Sequence, residues 1–316
     1  MTSLNLTVGK GIPGKSTFLA TLSVFIESES KGSIYINFVS GRGGHVVLRV
    51  DKKWIELQFN RCAQVYDQYA VVQKRMAYRL IETLNNKIKD PKNILEIGCG
   101  TGFMTRLLYD HYSSAQITTI DIAEKMVQQA QERLGSPSRI IWLHGDVEEM
   151  VLETQAYDLI VSNATVHWFS DIRDTLKKLE SSLRPGGFMA HTTFGKDTLI
   201  ELNDVLERIK EKYGLWSVEV ESFPSYEYWE SLFTSIGFTE TNSNSFWQRI
   251  EYPDCYSLLK ALKGMGKAYR RFSEQPFSFQ RSLLDEVILR YERAYRKKEG
   301  VYATFHSIQF TGRKPM

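Results

Sequence analysis

Long apolar runs are missing from this chain of 316 residues; none approaches the ~20 needed to cross a bilayer. Its start, MTSLNLTVGKGIPGKS, lacks the basic segment and apolar stretch that mark a secretory leader. Cysteine is scarce. Cys62, Cys99 and Cys255 stand far apart, an odd and sparse set that excludes a disulfide framework and offers no zinc-ligand spacing. Reduced thiols in a cytoplasmic protein without a resident metal are the expectation. A surplus of charge is missing too. Lys and Arg total 40 against 37 Asp and Glu, a net charge of +3. The molecule as a whole therefore gives no case for binding nucleic acid or membrane, and an acidic partner must be met by a local patch. What is present is ordinary globular composition, 42% hydrophobic and 24% charged. The length suits one large domain or two small ones.

The chain divides into four stretches. Residues 1–52 read as short strands and turns, with SGRGG separating IYINFV from HVVLRV, and form an extension of unknown role. Residues 53–90 read as helix: Tyr66, Tyr69, Ala70, Gln73, Met76, Ala77 and Leu80 recur at spacings of three and four and share a face. Residues 91–195 alternate apolar strands (NILEIG, QITTID, RIIWLHGD, YDLIVSN, GGFMAHTTF) with amphipathic helices. That alternation predicts a doubly wound α/β fold around a parallel sheet. Residues 196–316 mix helices with two late strands, which would add an antiparallel edge.

The chemistry concentrates at ILEIGCGTG, Ile94 to Gly102. A buried strand runs into Gly98, Gly100 and Gly102, and a helix follows, so the backbone can approach a ligand closely. The helix start offers N–H groups to an anion. Asp121 ends the next strand about 20 residues on, where a carboxylate accepts ribose hydroxyls. Asp146 ends the third strand, placed to accept from an adenine amino group, and Asn163 ends the fourth. These residues lie at the carboxyl ends of parallel strands, where open α/β sheets bind ligands. A carboxylate cap on the next helix is the plain alternative for Asp121 and Asp146.

The glycine spacing, G-x-G-x-G, differs from the G-x-G-x-x-G of a pyrophosphate turn, and Glu96 two residues earlier would repel a pyrophosphate while attracting an ammonium group. With Glu96, Gly98, Gly100 and Gly102 in place, and LRPGG before the fifth strand, the chain resembles class I methyltransferases. That resemblance implies a mostly parallel seven-stranded sheet with a helical lid or insertion. It also implies S-adenosylmethionine as cofactor, held by Glu96, the glycines, Asp121 with Ile122, Asp146 with Val147, Asn163 and Gln73.

A narrower resemblance rests on FNRCAQVYDQYAVVQKRMA, SNATVHWF, TTFGKDTLIEL, LKGMG and ATFHSIQF, spanning about residues 55–312. These stretches are similar to the malonyl-acyl-carrier-protein O-methyltransferases of biotin synthesis, of the Bacillus type. The resemblance implies methyl transfer to the free carboxylate of a malonyl thioester, on acyl carrier protein or coenzyme A. The ester masks the charge so that the chain can be extended toward a pimeloyl precursor. A carboxylate is already ionised and nucleophilic at neutral pH, so no general base is required. Two other readings stay open: a methyltransferase for another small acid or amine, and a non-catalytic cofactor-binding protein.

For the substrate, Tyr66 and Tyr69 are expected to close over the cofactor or to pack in the core, and His167 to donate to the substrate carboxylate or to serve as a structural histidine. Arg61, Lys74, Arg75, Arg270 and Arg271 are candidate cations for that carboxylate. Lys260, Lys263, Lys267, Arg270 and Arg271 form a basic run that would dock an acidic carrier, or make a solvated helix face. Finally, GKGIPGKS at Gly9 to Ser16 satisfies the phosphate-binding pattern G-x-x-x-x-G-K-S/T. Only about fifty residues precede the methyltransferase-like core, too few for the supporting sheet and its metal-binding Asp, so a chance match is expected.

Overall fold

A computed structural model describes residues 51–135, 137–213, 223–266 and 277–316. The phosphate-loop-like Gly9 to Ser16 and nearly all of the N-terminal extension lie outside the described residues, as do Lys267, Arg270 and Arg271. The unit described is Lys52–Met316.

Its frame is a mixed sheet. The strands are β1 (Asn93–Ile97), β2 (Gln116–Asp121), β3 (Ile140–His144), β4 (Tyr157–Asn163), β5 (Leu183–Phe194), β6 (Thr239–Tyr252), β7 (Arg296–Lys297) and β8 (Gly300–Arg313). Seven of them run in the order β3-β2-β1-β4-β5-β8-β6, and the two-residue β7 pairs with the start of β8, adding an eighth strand to the seven expected. The pairings among β1 to β5 are parallel, and β8 is antiparallel to both β5 and β6. Strands β1, β4 and β5 are buried almost continuously at their centres, as their unbroken apolar text requires of strands covered on both faces. Edge strand β6 instead alternates, with one face left to solvent. The order reverses between β1 and β4, which opens the crevice where such sheets bind ligands.

The helical layers follow from which face each helix buries. Helix α3 (Val71–Asn85) and α4 (Phe103–His111) set Met104, Leu80 and Leu84 on Ile94, Ile117 and Leu159. On the other face α6 (Ile172–Ser182) and α8 (Tyr226–Ile236) bury Leu176, Leu179, Trp229 and Phe233 against Leu95, Ile160 and Met189. A third cluster joins α7 (Ile200–Tyr213), α9 (Cys255–Gly264) and α10 (Phe277–Tyr295) to Phe194 at the end of β5 and Phe305 within β8. Caps fix several starts: Asp171 accepts from the Asp174 N–H at 2.9 Å, Ser225 from Tyr228 and Asp254 from Ser257. Among the described residues no helix is long and apolar enough to cross a membrane.

The single helix expected over 53–90 is three. Helix α1 (Lys52–Cys62) and α2 (Tyr66–Tyr69) precede α3, with a turn at Cys62–Val65 and a non-helical Ala70 between them. The reason is packing. The Cys62 end of α1 lies on Ala123 and Met126 at α5 (Glu124–Leu134), whereas α3 lies on the sheet, and one straight rod cannot reach both.

Candidate active site

The glycine turn after β1 is a fitted part. Gly98 has φ +76°, and a Cβ there would stand 2.0 Å from the Thr165 hydroxyl oxygen. Gly102, at φ +82°, would place a Cβ 2.9 Å from Ala130 on α5. Neither position accepts a side chain. The turn spends its own amides: Gly98 and Cys99 donate to the Ile120 carbonyl, Gly102 to Cys99, and Gly100 to Asp121 Oδ2 at 2.8 Å.

Asp121 thus braces the turn while its other oxygen accepts from the Ala123 N–H at 2.9 Å. Burial raises its carboxyl above the ordinary range, outweighing those two hydrogen bonds. A carboxylate has about four lone-pair sites, so acceptor capacity remains. Asp121, Ile122, Asp146, Val147 and Asn163 all line one cavity of about 690 Å³, together with Gly98 and Gly100. Asp146 accepts from the Glu148 N–H at 3.0 Å.

The opposite wall of that cavity was not anticipated. Lys52, Ile55 and Phe59 of α1 line it, as do Trp168 and Phe169 from the turn after β4. Lys52 pairs with Glu148 and lies 3.4 Å from Asp146 Oδ2. Glu148 also accepts from the Ser170 and Asp171 amides and the Thr175 hydroxyl. Burial would push the Glu148 carboxyl up, yet these partners hold it below its usual value. Phe59 meets the Trp168 ring edge-on at 5.7 Å, which joins the α1 wall to the wall after β4. Phe59 opens the stretch that carried the family resemblance, which was the available signal. Lys52 sat on the edge of the presumed extension and gave none.

A second, smaller cavity of about 380 Å³ adjoins the first and shares Tyr66, Gly98, Gly100 and Asn163 with it. Gln73 lines it; its Nε2 donates to Met265 Sδ at 3.5 Å, and its buried Oε1 has no hydrogen-bond partner. Burial raises the Tyr66 hydroxyl, which stays a neutral donor. Asn163 is a spacer as well as a wall: its amide donates to the Gln73 carbonyl at 3.1 Å and accepts from the Thr192 hydroxyl at 2.7 Å.

Several expected residues line neither cavity, Gly102, Arg61 and Arg75 among them. Tyr69 lines neither cavity and packs on Gly264 of α9, where a Cβ would come within 2.2 Å of its ring. The break at Ala70 turns α2 away from the α3 face that Tyr69 was expected to share. Glu96 also lines neither cavity. It is 1% exposed beneath the turn, accepts from the Thr105 hydroxyl at 2.7 Å, and burial pushes its carboxyl up to about 8. His167 lines neither cavity; its Nδ1 is 3.3 Å from the Thr193 hydroxyl and its ring lies among Phe194, Phe223 and Trp168. Of the basic run, Lys260 and Lys263 are exposed on α9.

Comparisons with known proteins agree with this architecture. A family described as a methyltransferase domain matches residues 94–187. A malonyl-acyl-carrier-protein O-methyltransferase from Priestia megaterium is 33% identical, over 83% of this chain and 97% of that protein. One of the same name from Acetivibrio thermocellus is 34% identical, over 84% of this chain and 95% of its own. Among solved structures, the Bacillus subtilis YcgJ protein superposes with a TM-score of 0.53 at 13% identity, over 76% of this chain and 99% of its own. A phosphoethanolamine N-methyltransferase from Haemonchus contortus, solved with S-adenosylmethionine, also gives 0.53 at 13% identity, over 90% of this chain and 63% of its own.

Proposed function

Because the chain belongs to the malonyl-acyl-carrier-protein O-methyltransferase family, we propose that it methylates the free carboxylate of a malonyl thioester, using S-adenosylmethionine. The observation that carries this reading is the pair of joined cavities at the tips of β1, β2 and β4. Their shared walls suit a long ligand with a nucleoside at one end and a compact polar group at the other. Two features of the chain fit such a ligand: the open backbone at Gly100, where a Cβ would meet nothing within 4 Å, and the buried, unpartnered Gln73 Oε1.

Asp121 and Ile122 would hold the ribose, Asp146 and Val147 the adenine, with Gly98, Gly100 and Asn163 forming the shared wall. Gly102 shapes the turn against α5, and Glu96 acts on it from below. When bound, the cofactor supplies a methyl group on a positively charged sulfonium. The acceptor carboxylate is ionised at neutral pH, so the protein's task is orientation and exclusion of water. Phe59, Trp168 and Phe169 provide the dry wall. His167 would reach the acceptor from the Thr193 side, and Tyr66 from the lid. Tyr69 supports the lid through α9.

The carrier would dock on α9, where Tyr256, Lys260 and Lys263 are exposed at spacings of four and three and share a face. Lys267, Arg270 and Arg271 follow in the sequence as the remaining cations of the basic run. The test uses labelled S-adenosylmethionine with malonyl carrier protein, malonyl-coenzyme A and free small acids. Base-labile label on a malonyl thioester is expected; label confined to free acids or amines contradicts the proposal. Charge reversal at Lys260 and Lys263 should raise KM for the carrier-bound substrate and leave that for the coenzyme A thioester unchanged. An equal effect on both overturns the docking surface.

A further inference from the structure

We infer that Thr192 is a positioning residue for methyl transfer: its hydroxyl holds Ala164 in a strained conformation and so places the turn that faces the acceptor. The inference rests on the function proposed above and deepens it. Thr192 lies near the end of β5, is fully buried and lines neither cavity. It acts on the tip of the neighbouring strand β4, where Asn163 is its register partner.

Ala164 follows that tip with φ +55°. Among the described residues other than glycine, Gln155, Leu199 and Glu240 also have positive φ, but Ala164 is the one of the four that lines a cavity of the site. A residue with a Cβ avoids the left-handed region, so the surroundings must impose it. They do so through one donor. The Ala164 N–H is shared between the Thr192 carbonyl and the Thr192 hydroxyl, each at 3.0 Å.

A hydroxyl has one hydrogen. Thr192 accepts from Ala164 and turns that hydrogen to Asn163 Oδ1 at 2.7 Å. The Asn163 amide is thereby oriented, with Nδ2 toward the Gln73 carbonyl of α3 at 3.1 Å. One hydroxyl thus fixes a backbone bend and a side-chain amide at the same strand tip. The bend launches the turn after β4. There the Thr165 hydroxyl donates to the Asn163 carbonyl at 3.2 Å, and the Thr165 carbonyl accepts from the Trp168 N–H at 2.9 Å. Thr193, the next residue of β5, meets His167 Nδ1 at 3.3 Å. Two consecutive threonines therefore grip the turn, Thr192 at its start and Thr193 at His167. In the function proposed above, this turn presents His167 and Trp168 to the acceptor. Asp121 and Asp146, which would hold the nucleoside, stand at the ends of β2 and β3, apart from Thr192. Loss of the hydroxyl should slow transfer more than it weakens cofactor binding.

The test uses the full chain, with steady-state kinetics on S-adenosylmethionine and malonyl carrier protein and calorimetry with S-adenosylhomocysteine. Thr192→Val keeps the shape and removes the hydroxyl. It should lower kcat roughly tenfold, the size of one lost buried hydrogen bond, and change S-adenosylhomocysteine affinity by less than about threefold. Thr192→Ser restores the hydroxyl and should recover most of kcat. Glycine accepts the left-handed conformation freely, so adding Ala164→Gly to Thr192→Val should recover part of the lost kcat. Circular dichroism checks folding, and Thr192→Ala repeats the test where Thr192→Val does not fold. Unchanged kcat in a folded variant without the hydroxyl overturns the inference. So does a loss of S-adenosylhomocysteine affinity as large as the loss in kcat. Thr192→Ser as impaired as Thr192→Val, or no recovery on adding Ala164→Gly, also overturns it. A parent protein that methylates no malonyl thioester refutes the proposed function itself, a result distinct from the others.

Discussion

Gly98 shows how tightly single residues are specified. Any side chain there meets Thr165, and the backbone is left-handed at φ +76°. Gly98→Ala should therefore cost about 1–3 kcal/mol in conformational strain alone and abolish S-adenosylhomocysteine binding. Adding Thr165→Gly relieves the contact but not the strain, so thermal melting should recover only in part; full recovery would refute this view of the turn. His191 tests burial in the same way. It is fully buried among Trp229, Phe233 and Phe310, with neither ring nitrogen bonded, and burial pushes it down to about 3. The unfolded chain takes up this proton near pH 6.5 and the folded chain only near 3. Stability contributed by the neutral ring is thus present above 6.5 and lost as pH falls toward 3, by about 2 kcal/mol at pH 5. His191→Phe should flatten the fall in Tm between pH 7 and pH 5, and an unchanged slope would contradict the assignment. The strand-tip residues Asp121, Asp146 and Asn163 were legible because their position follows from the strand ends. The retreat of Glu96 beneath the turn was not, because a sequence gives no depth.

The elements around the site divide similarly. Periodicity showed a helical segment ahead of β1 but not its division into α1, α2 and α3, since no glycine or proline marks the breaks. The division is set by what each piece packs against. Its consequence is that α1 walls the larger cavity through Ile55 and Phe59 and is fastened by Lys52 to Glu148. Glu148 is itself fixed by the start of α6, so the fastening point is rigid. Lys52→Met keeps the apolar stem and removes the charge. It should speed S-adenosylhomocysteine release by roughly three- to tenfold, the range for a partly buried charged contact. Stopped-flow displacement measures this, and an unaltered release rate would show that α1 is held by other means. Helix α9 has two faces. Its buried side seats Tyr69 and positions Met265 behind Gln73, while its exposed side carries Lys260 and Lys263. The basic run was visible in the sequence. Its link to α2, through Tyr69 on Gly264, depends on tertiary packing and was not.

Across the whole unit, the parallel strands and their crossovers follow from alternating apolar and amphipathic text, and the class of fold was legible for that reason. Strand order was not. The insertion of β8 between β5 and β6, antiparallel to both, pairs β8 with β5, a strand more than a hundred residues earlier in the chain. That insertion extends the sheet, and α7, α9 and α10 pack against it in one buried cluster with Phe194 and Phe305. The crevice lined by Gly98, Asp121 and Asn163 lies where the order reverses at β1 and β4. The most direct measurement is a crystal structure of the full chain with S-adenosylhomocysteine. The expected result places adenosine in the larger cavity beside Asp121 and Asp146, and the amino-acid head in the smaller one beside Gln73. Ligand density elsewhere, or a head group turned away from Gln73, would contradict it.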